Sequence, residues 1–200
     1  MVTPFLQEST AVSTRDLVHI ALFTAIVAAL GLVPPVPVPV IGVPITAQTM
    51  GVMLAGSVLG AKRGALSLLL FLALVAAGAP LLAGGRGGLG VFFGPSGGFL
   101  IGFPIAAGVI GWMVERWWSR LGFWTILAIH LLGGVVVLYA IGVPFVAAVT
   151  GLPLSAALVG SLWFVAGDIA KAAIAAYVAV TVRRTLPMVA TASARRDRPS

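Results

Sequence analysis

Long apolar runs fill most of this chain, and short breaks rich in glycine, proline or arginine separate them. A helix of about 20 apolar residues crosses the hydrocarbon core of a bilayer, which is about 30 Å thick. The runs therefore predict six membrane-spanning helices, at roughly 17–33, 46–60, 64–81, 96–114, 123–148 and 155–182. The second run is short, the fifth is interrupted, and polar tails at 1–15 and 185–200 flank what we expect to be a single membrane domain.

The composition agrees with a membrane location. Of the 200 residues, 60% are hydrophobic and 8% are charged, whereas roughly 25% of the residues in an average soluble domain are charged. The predicted fold class is therefore an all-α integral membrane protein. The chain has no cysteine, which excludes disulfides, thiolate metal sites and thiol catalysis, and we expect no metal and no other cofactor.

The basic residues predict how the helices are oriented. If all six runs cross the bilayer, Arg86 alone lies on one side, and ten basic residues lie on the other: Arg15, Lys62, Arg63, Arg116, Arg120, Arg183, Arg184, Arg195, Arg196 and Arg198. The positive-inside rule then places both termini in the cytoplasm of a cell-membrane protein. The net charge of +7 thus reflects topology, and we expect no nucleic-acid partner, because the basic residues form no single face interleaved with aromatic side chains.

Asp168 and Lys171 interrupt the last apolar run. A charge near the bilayer centre costs roughly 2.5–3.5 kcal/mol on insertion scales, so a charged residue there indicates a functional site. The i, i+3 spacing places both side chains on one helical face. Lys171 offers donors suited to a carboxylate, and Asp168 offers acceptors suited to amide or ureido N–H groups. The alternative is a mutually neutralised pair that only orients the helix.

Other candidate ligand contacts fall near the same predicted end of the molecule. Arg86 lies in a glycine-rich segment and could contact a ligand anion or lipid phosphates, and Gln48 follows a proline-rich segment together with Thr46 and Thr49. For each single aromatic residue, lipid contact or ordinary packing is favoured over ligand contact. With these alternatives open, the sequence predicts a small polar ligand under a lid of irregular loops, with these further candidates: Arg86, Gln48, Phe92, Tyr139 and Trp163.

The first run carries a stripe of small side chains, Ala21, Ala25 and Ala29. Such a stripe lets another helix approach closely. The sequence alone leaves open whether that helix belongs to this chain or to a partner. Since the chain has no P-loop motif, and its G-x-G-x-x-G match at 85–90 follows an apolar helix instead of a strand, any ATPase must be a partner subunit.

An intramembrane enzyme that acts on a lipid or small molecule, with Asp168 as general base, is the alternative function. The sequence offers no metal-ligand cluster and no nucleophile beside a histidine. His130 is expected on the cytoplasmic half, away from the predicted pocket, as a neutral histidine that is either packed or interfacial. A binding and transport function is therefore favoured over catalysis.

Four segments carry a family resemblance: GVPITAQTMGVMLAG at 42–56, LLAGGRGGLGVFFGPSGGFLIGFP at 81–104, IGVPFVAAVTGL at 141–152 and GDIAK at 167–171. In them the chain resembles the BioY biotin-transport proteins, the substrate-binding S-components of energy-coupling factor (ECF) transporters. The resemblance covers about residues 15–185. The second segment is long and unusual enough to be specific.

The resemblance implies a compact six-helix membrane domain that binds biotin with high affinity near the extracellular side. It implies that Asp168 and Lys171, which match the acidic and basic residues of the family's last-helix motif, take part in biotin binding. It also implies that the stripe Ala21, Ala25 and Ala29 docks onto a transmembrane T-component, which couples to two ATPase subunits. Ureido N–H groups would meet Asp168, and the valerate carboxylate or ureido oxygen would meet Lys171, although the reverse use of the two ends stays open.

Overall fold

The computed structural model describes residues 13–185, and within that range the chain forms six helices joined by loops with isolated β-bridges. The predicted all-helical fold is thus confirmed. The remaining parts of the two predicted polar tails lie outside the described residues. The helices are α1 (Thr14–Leu30), α2 (Gln48–Leu59), α3 (Ala61–Ala76), α4 (Gly97–Arg116), α5 (Phe123–Thr150) and α6 (Leu154–Thr185).

The start of α1 is fixed by a capping box. The backbone N–H of Asp16 donates to the Ser13 hydroxyl at 3.2 Å, and the N–H of Ser13 donates to the Asp16 carboxylate at 3.3 Å. Two otherwise unpaired N–H groups are satisfied in this way. The helix therefore begins at Thr14, three residues before the predicted span.

Three of the helices, α4, α5 and α6, are each long and apolar enough to cross a membrane. In contrast, α2 has 12 residues and rises only about 18 Å at 1.5 Å per residue. The irregular segment before it is partly buried, with Ile41 and Val43 in the core. Non-helical backbone is tolerated at membrane depth where protein surrounds it, which agrees with the burial of this segment.

The predicted interruption of the fifth span takes the form of a widened turn. Residues Leu132–Val137 are π-helical between two α-helical parts, so α5 continues through this point. A Cβ atom at Gly133 would overlap the Ile110 side chain of α4, and one at Gly134 would overlap Met53 of α2. The two glycines thus let α5 pack closely on both helices.

Polar contacts join the helix ends at one end of the bundle. The guanidinium of Arg63 lies 3.2 Å from the Asp16 carboxylate, linking the starts of α3 and α1. The N–H of Ala61 donates to the Glu115 carboxylate at 2.8 Å, linking α3 to the end of α4. Arg183 donates to two carbonyls in the α4–α5 connection, at 2.6 and 2.8 Å. The basic residues of the loops therefore gather at this end, here called the basic end.

Candidate ligand-binding site

A pocket lies toward the opposite end of the bundle, under the loop that joins α1 to α2. Counted out to its open side, its empty volume is about 340 Å³. The lining comes from the loop, α2, α4, α5 and α6: Val43, Pro44, Ile45, Thr46, Thr49, Phe99, Leu138, Tyr139, Phe164, Asp168 and Lys171. Four helices and the proline-rich loop thus meet at one concave surface.

Asp168 and Lys171 lie side by side in this pocket. The Nζ atom of Lys171 is 2.6 Å from Oδ1 of Asp168, and the two side chains are 14% and 4% exposed. The i, i+3 spacing on α6 produces this contact, as the helical pattern predicts. The ion pair is therefore shielded from lipid and from most of the solvent, with Lys171 as its more accessible member.

Hydrogen bonds to the start of α2 complete the coordination of Lys171. Its ammonium donates to the Thr46 carbonyl at 2.9 Å and to the Thr49 hydroxyl at 2.7 Å. Together with Asp168, these acceptors match all three N–H donors of a lysine. The Lys171 ammonium thus links the first turn of α2 and the residue two positions before that helix to the middle of α6.

The Asp168 carboxylate accepts from two hydroxyl groups as well. The Tyr139 hydroxyl donates to Oδ2 at 2.5 Å, and the Thr49 hydroxyl donates to Oδ1 at 3.3 Å. Oδ1 thus has two partners and Oδ2 has one, so the free acceptor position of the carboxylate is on Oδ2. A ligand N–H group could use this position without breaking the ion pair.

Three aromatic rings form one wall of the pocket. Phe99, Tyr139 and Phe164 pack edge to face, with ring centroids 6.0 to 6.3 Å apart. Such geometry stabilises an aromatic cluster beyond simple burial. The pocket therefore combines an apolar aromatic wall with a charged, hydrogen-bonding floor, which Asp168 and Lys171 form.

Gln48 does not line this pocket, although it lies next to residues that do. It is 2% exposed, and its Nε2 atom donates to the carbonyls of Val27 at 3.2 Å and Leu81 at 3.1 Å. Its Oε1 atom accepts from the N–H of Ala83 at 3.1 Å. The Gln48 side chain therefore links the start of α2 to α1 and to the glycine-rich loop between α3 and α4.

The other three predicted contacts also lie away from the pocket lining. Arg86 is in the glycine-rich loop, where its Nε donates to the Ala83 carbonyl at 3.3 Å. Phe92 packs against the hydrophobic core, and Trp163 is 71% exposed on the outer face of α6. Of the predicted ligand contacts, the structure thus brings Asp168, Lys171 and Tyr139 together.

Several lining residues escaped the site prediction. Val43, Pro44 and Ile45 come from the proline-rich loop, and Leu138 comes from α5. The prolines signal irregular backbone, but only the folded loop shows which side chains turn inward. Thr46 and Thr49 are visible in the sequence as polar groups, but their contacts with Lys171 depend on the packing of α2 on α6.

His130 is fully buried between α5 and α6, with Nδ1 at 3.2 Å from the Ala172 carbonyl. Of the two expected environments, packed and interfacial, the structure shows the packed one. Ala21, Ala25 and Ala29 are all exposed on α1, so within residues 13–185 no other helix of this chain covers the stripe. Of the two readings left open by the sequence, intramolecular packing is thereby disfavoured.

The fold and the pocket define a class of protein: helical membrane proteins with a small-molecule pocket that combines an aromatic wall with a charged pair. The sequence profile of the BioY family matches residues 6–188, and the chain belongs to this family. The family predicted from the sequence is thus confirmed. It is a family of transporter components, so the alternative of an intramembrane enzyme is set aside.

Individual relatives agree with this assignment. A biotin transporter BioY from Rhizobium etli is 48% identical over 182 residues, which cover 88% of this chain and 97% of that protein. A probable biotin transporter BioY from Bacillus subtilis is 47% identical over 176 residues, covering 86% and 92%. The crystal structure of the S-component for biotin from an ECF-type ABC transporter matches with a TM-score of 0.82 at 35% identity, covering 85% of this chain and 91% of that one. The predicted S-component fold is confirmed.

Proposed function

We propose that this chain is a membrane subunit that binds biotin with high affinity and mediates its uptake. The observation that carries the proposal is the shielded Asp168–Lys171 pair on the floor of the pocket, at 2.6 Å. The names of the relatives from Rhizobium etli and Bacillus subtilis support biotin as the ligand. The aromatic wall supplies an apolar surface for the bicyclic ring.

The hydrogen-bonding groups on the ureido edge of biotin are complementary to those of the Asp168–Lys171 pair. A cyclic urea presents an N–H donor and a carbonyl acceptor side by side, and the pair presents an acceptor and a donor side by side. One ureido N–H donates to the free position on Oδ2 of Asp168, and the ureido oxygen accepts from Lys171 in place of Thr46 or Thr49. The buried site stays electrically neutral, whereas a carboxylate at Lys171 would bring an extra negative charge into it.

The valerate chain then points away from the floor, toward the opening of the pocket. Arg86 is our candidate partner for the carboxylate, because the loop that carries it is fastened to the start of α2 through Gln48 and Ala83. A guanidinium binds a carboxylate through two parallel hydrogen bonds. Gln48 supports this arrangement as a positioning residue, and Tyr139 contacts the ligand from the aromatic wall.

Uptake requires an energy source, and we propose a transmembrane T-component coupled to two ATPase subunits as partners. The exposed stripe Ala21, Ala25 and Ala29 supports α1 as the docking face, because small side chains let a second helix approach. The polar contacts at the basic end support a cytoplasmic location of that end and of both termini. The pocket then opens toward the outside.

Calorimetric titration of the purified chain in detergent tests the proposal. We expect saturable binding of one biotin per chain, recovery of unmodified biotin afterwards, and no heat from unrelated vitamins at the same concentration. A chain that binds another vitamin but not biotin would contradict the assignment. Chemical conversion of the bound biotin would instead favour an enzyme.

A further inference from the structure

A second groove lies far from the pocket, at the basic end of the bundle. It runs between the end of α4 and the start of α5, and its empty volume is about 650 Å³ counted out to its open side. One part of the groove is apolar and the other part carries a cation and an indole. The apolar part is formed by Met113, Ala128, Ile129 and Leu132, and the polar part by Trp117, Arg120 and Thr125.

Exposed tryptophans mark the depth of this groove in the membrane. Trp112, Trp117 and Trp124 are 57%, 40% and 78% exposed, and all three flank the α4–α5 connection. Tryptophan is enriched where lipid headgroups meet the hydrocarbon. Arg120, in the same connection, therefore lies at the level of the lipid phosphates, and the apolar part of the groove extends into the acyl-chain region.

Two donors at the polar part have no acceptor within residues 13–185, whereas the Thr125 hydroxyl donates to the Arg120 carbonyl at 3.1 Å. The Arg120 guanidinium makes no ion pair or hydrogen bond there, and neither does the indole N–H of Trp117. Two carboxylates described at this end are already engaged: Asp16 pairs with Arg63, and Glu115 accepts from the backbone of Ala61. Neither lines the groove. Within the described part of the chain, a cation without a partner thus lies at the mouth of an apolar groove.

We propose that this groove binds an anionic glycerophospholipid. One acyl chain lies along the apolar part, and the phosphate accepts hydrogen bonds from the Arg120 guanidinium and the Trp117 indole. Free phosphate would leave the apolar part unfilled. A zwitterionic lipid carries its own cationic group and gains less from Arg120. Because α1 packs on α2 and α3, the lipid and a partner on α1 would occupy different faces.

Native mass spectrometry of the delipidated full chain tests the site, with phosphatidylglycerol and phosphatidylcholine of identical acyl chains as probes. We expect one retained phosphatidylglycerol per chain and about tenfold weaker retention of phosphatidylcholine, the factor for one charge-assisted hydrogen bond. Arg120→Gln should weaken phosphatidylglycerol binding about tenfold. The matched control is Lys62→Gln, which removes the same charge at the same end from an exposed residue of α3, and it should retain the lipid.

A second variant tests the apolar part without changing any charge. Ala128 is exposed in the groove, so Ala128→Phe fills the space for the acyl chain without disturbing the core, and it should also release phosphatidylglycerol. Undiminished binding in Ala128→Phe would overturn the proposal, as would an equal loss in Lys62→Gln and Arg120→Gln. Displacement of the lipid by glycerol phosphate would also overturn it, because acyl chains would then add nothing.

Discussion

Replacing Lys171 by methionine separates ligand binding from structural pairing. Methionine keeps an unbranched side chain and removes the three N–H donors that now serve Asp168, Thr46 and Thr49. A hydrogen bond to a charged group contributes about 1.5–3 kcal/mol, and 1.4 kcal/mol is about a factor of ten in affinity. We therefore expect biotin affinity to fall between about tenfold and a hundredfold. The carboxylate of Asp168, 4% exposed, also loses its cation, and breaking a buried pair costs about 3–5 kcal/mol of stability.

The double variant Asp168→Asn with Lys171→Met is the matched control. It removes both charges, and an asparagine oxygen can still accept from the Tyr139 hydroxyl. We expect thermal stability, followed by tryptophan fluorescence, to recover relative to Lys171→Met, while calorimetry in detergent shows that biotin binding stays lost. The reasoning is refuted if Lys171→Met binds biotin within about threefold of the parent, or if binding returns together with stability in the double variant. Either result would make the pair a purely structural element.

Three further substitutions test individual contacts. Tyr139→Phe keeps the ring and removes the donor that orients the Asp168 carboxylate, so biotin affinity by calorimetry should fall roughly tenfold; an unchanged affinity would show that this hydroxyl does not contribute to ligand binding. Gln48→Met leaves three buried backbone groups without their partner and should lower the unfolding temperature by an amount equivalent to roughly 3 kcal/mol, whereas weaker biotin binding at an unchanged unfolding temperature would indicate direct ligand contact. Arg86→Gln should weaken binding of biotin more than binding of biotin amide, which lacks the carboxylate; equal losses for both ligands would rule out a carboxylate contact.

The helices could be predicted from the sequence where the length of an apolar run determines their bounds. The bounds of α4, α5 and α6 lie within three residues of the predicted spans at each end, because long apolar runs leave a membrane helix few alternatives. The prediction is weaker for α2, whose 12 residues do not match a full crossing. The π-helical turn of α5 was also not predictable, since it depends on the close approach of Gly133 and Gly134 to other helices.

The site was predictable where a residue is out of place in its own segment. Asp168, Lys171 and Tyr139 are polar groups in apolar helices, and the structure brings them together. The side chains of Gln48 and Trp163 were equally plausible ligand contacts, but their roles depend on the direction in which each side chain points. The amide of Gln48 points to backbone groups of α1 and the glycine-rich loop, and Trp163 points away from the pocket although its neighbour Phe164 lines it. Sequence spacing alone does not fix such directions without the register of neighbouring helices.

The coordination of Lys171 limits which ligands the pocket can favour. Because the ammonium already has three acceptors, Asp168, Thr46 and Thr49, a ligand must supply a better acceptor than the one it replaces. A carboxylate offers acceptors only, so it would displace a threonine and add a negative charge beside Asp168. A cyclic urea replaces one acceptor of the ammonium, supplies an N–H to the open position of Asp168, and keeps the site neutral. Sites built to hydrogen-bond a ligand reject analogues that leave their buried polar groups unpaired. We therefore propose that the pair selects for the ureido ring and that the carboxylate of biotin is bound elsewhere.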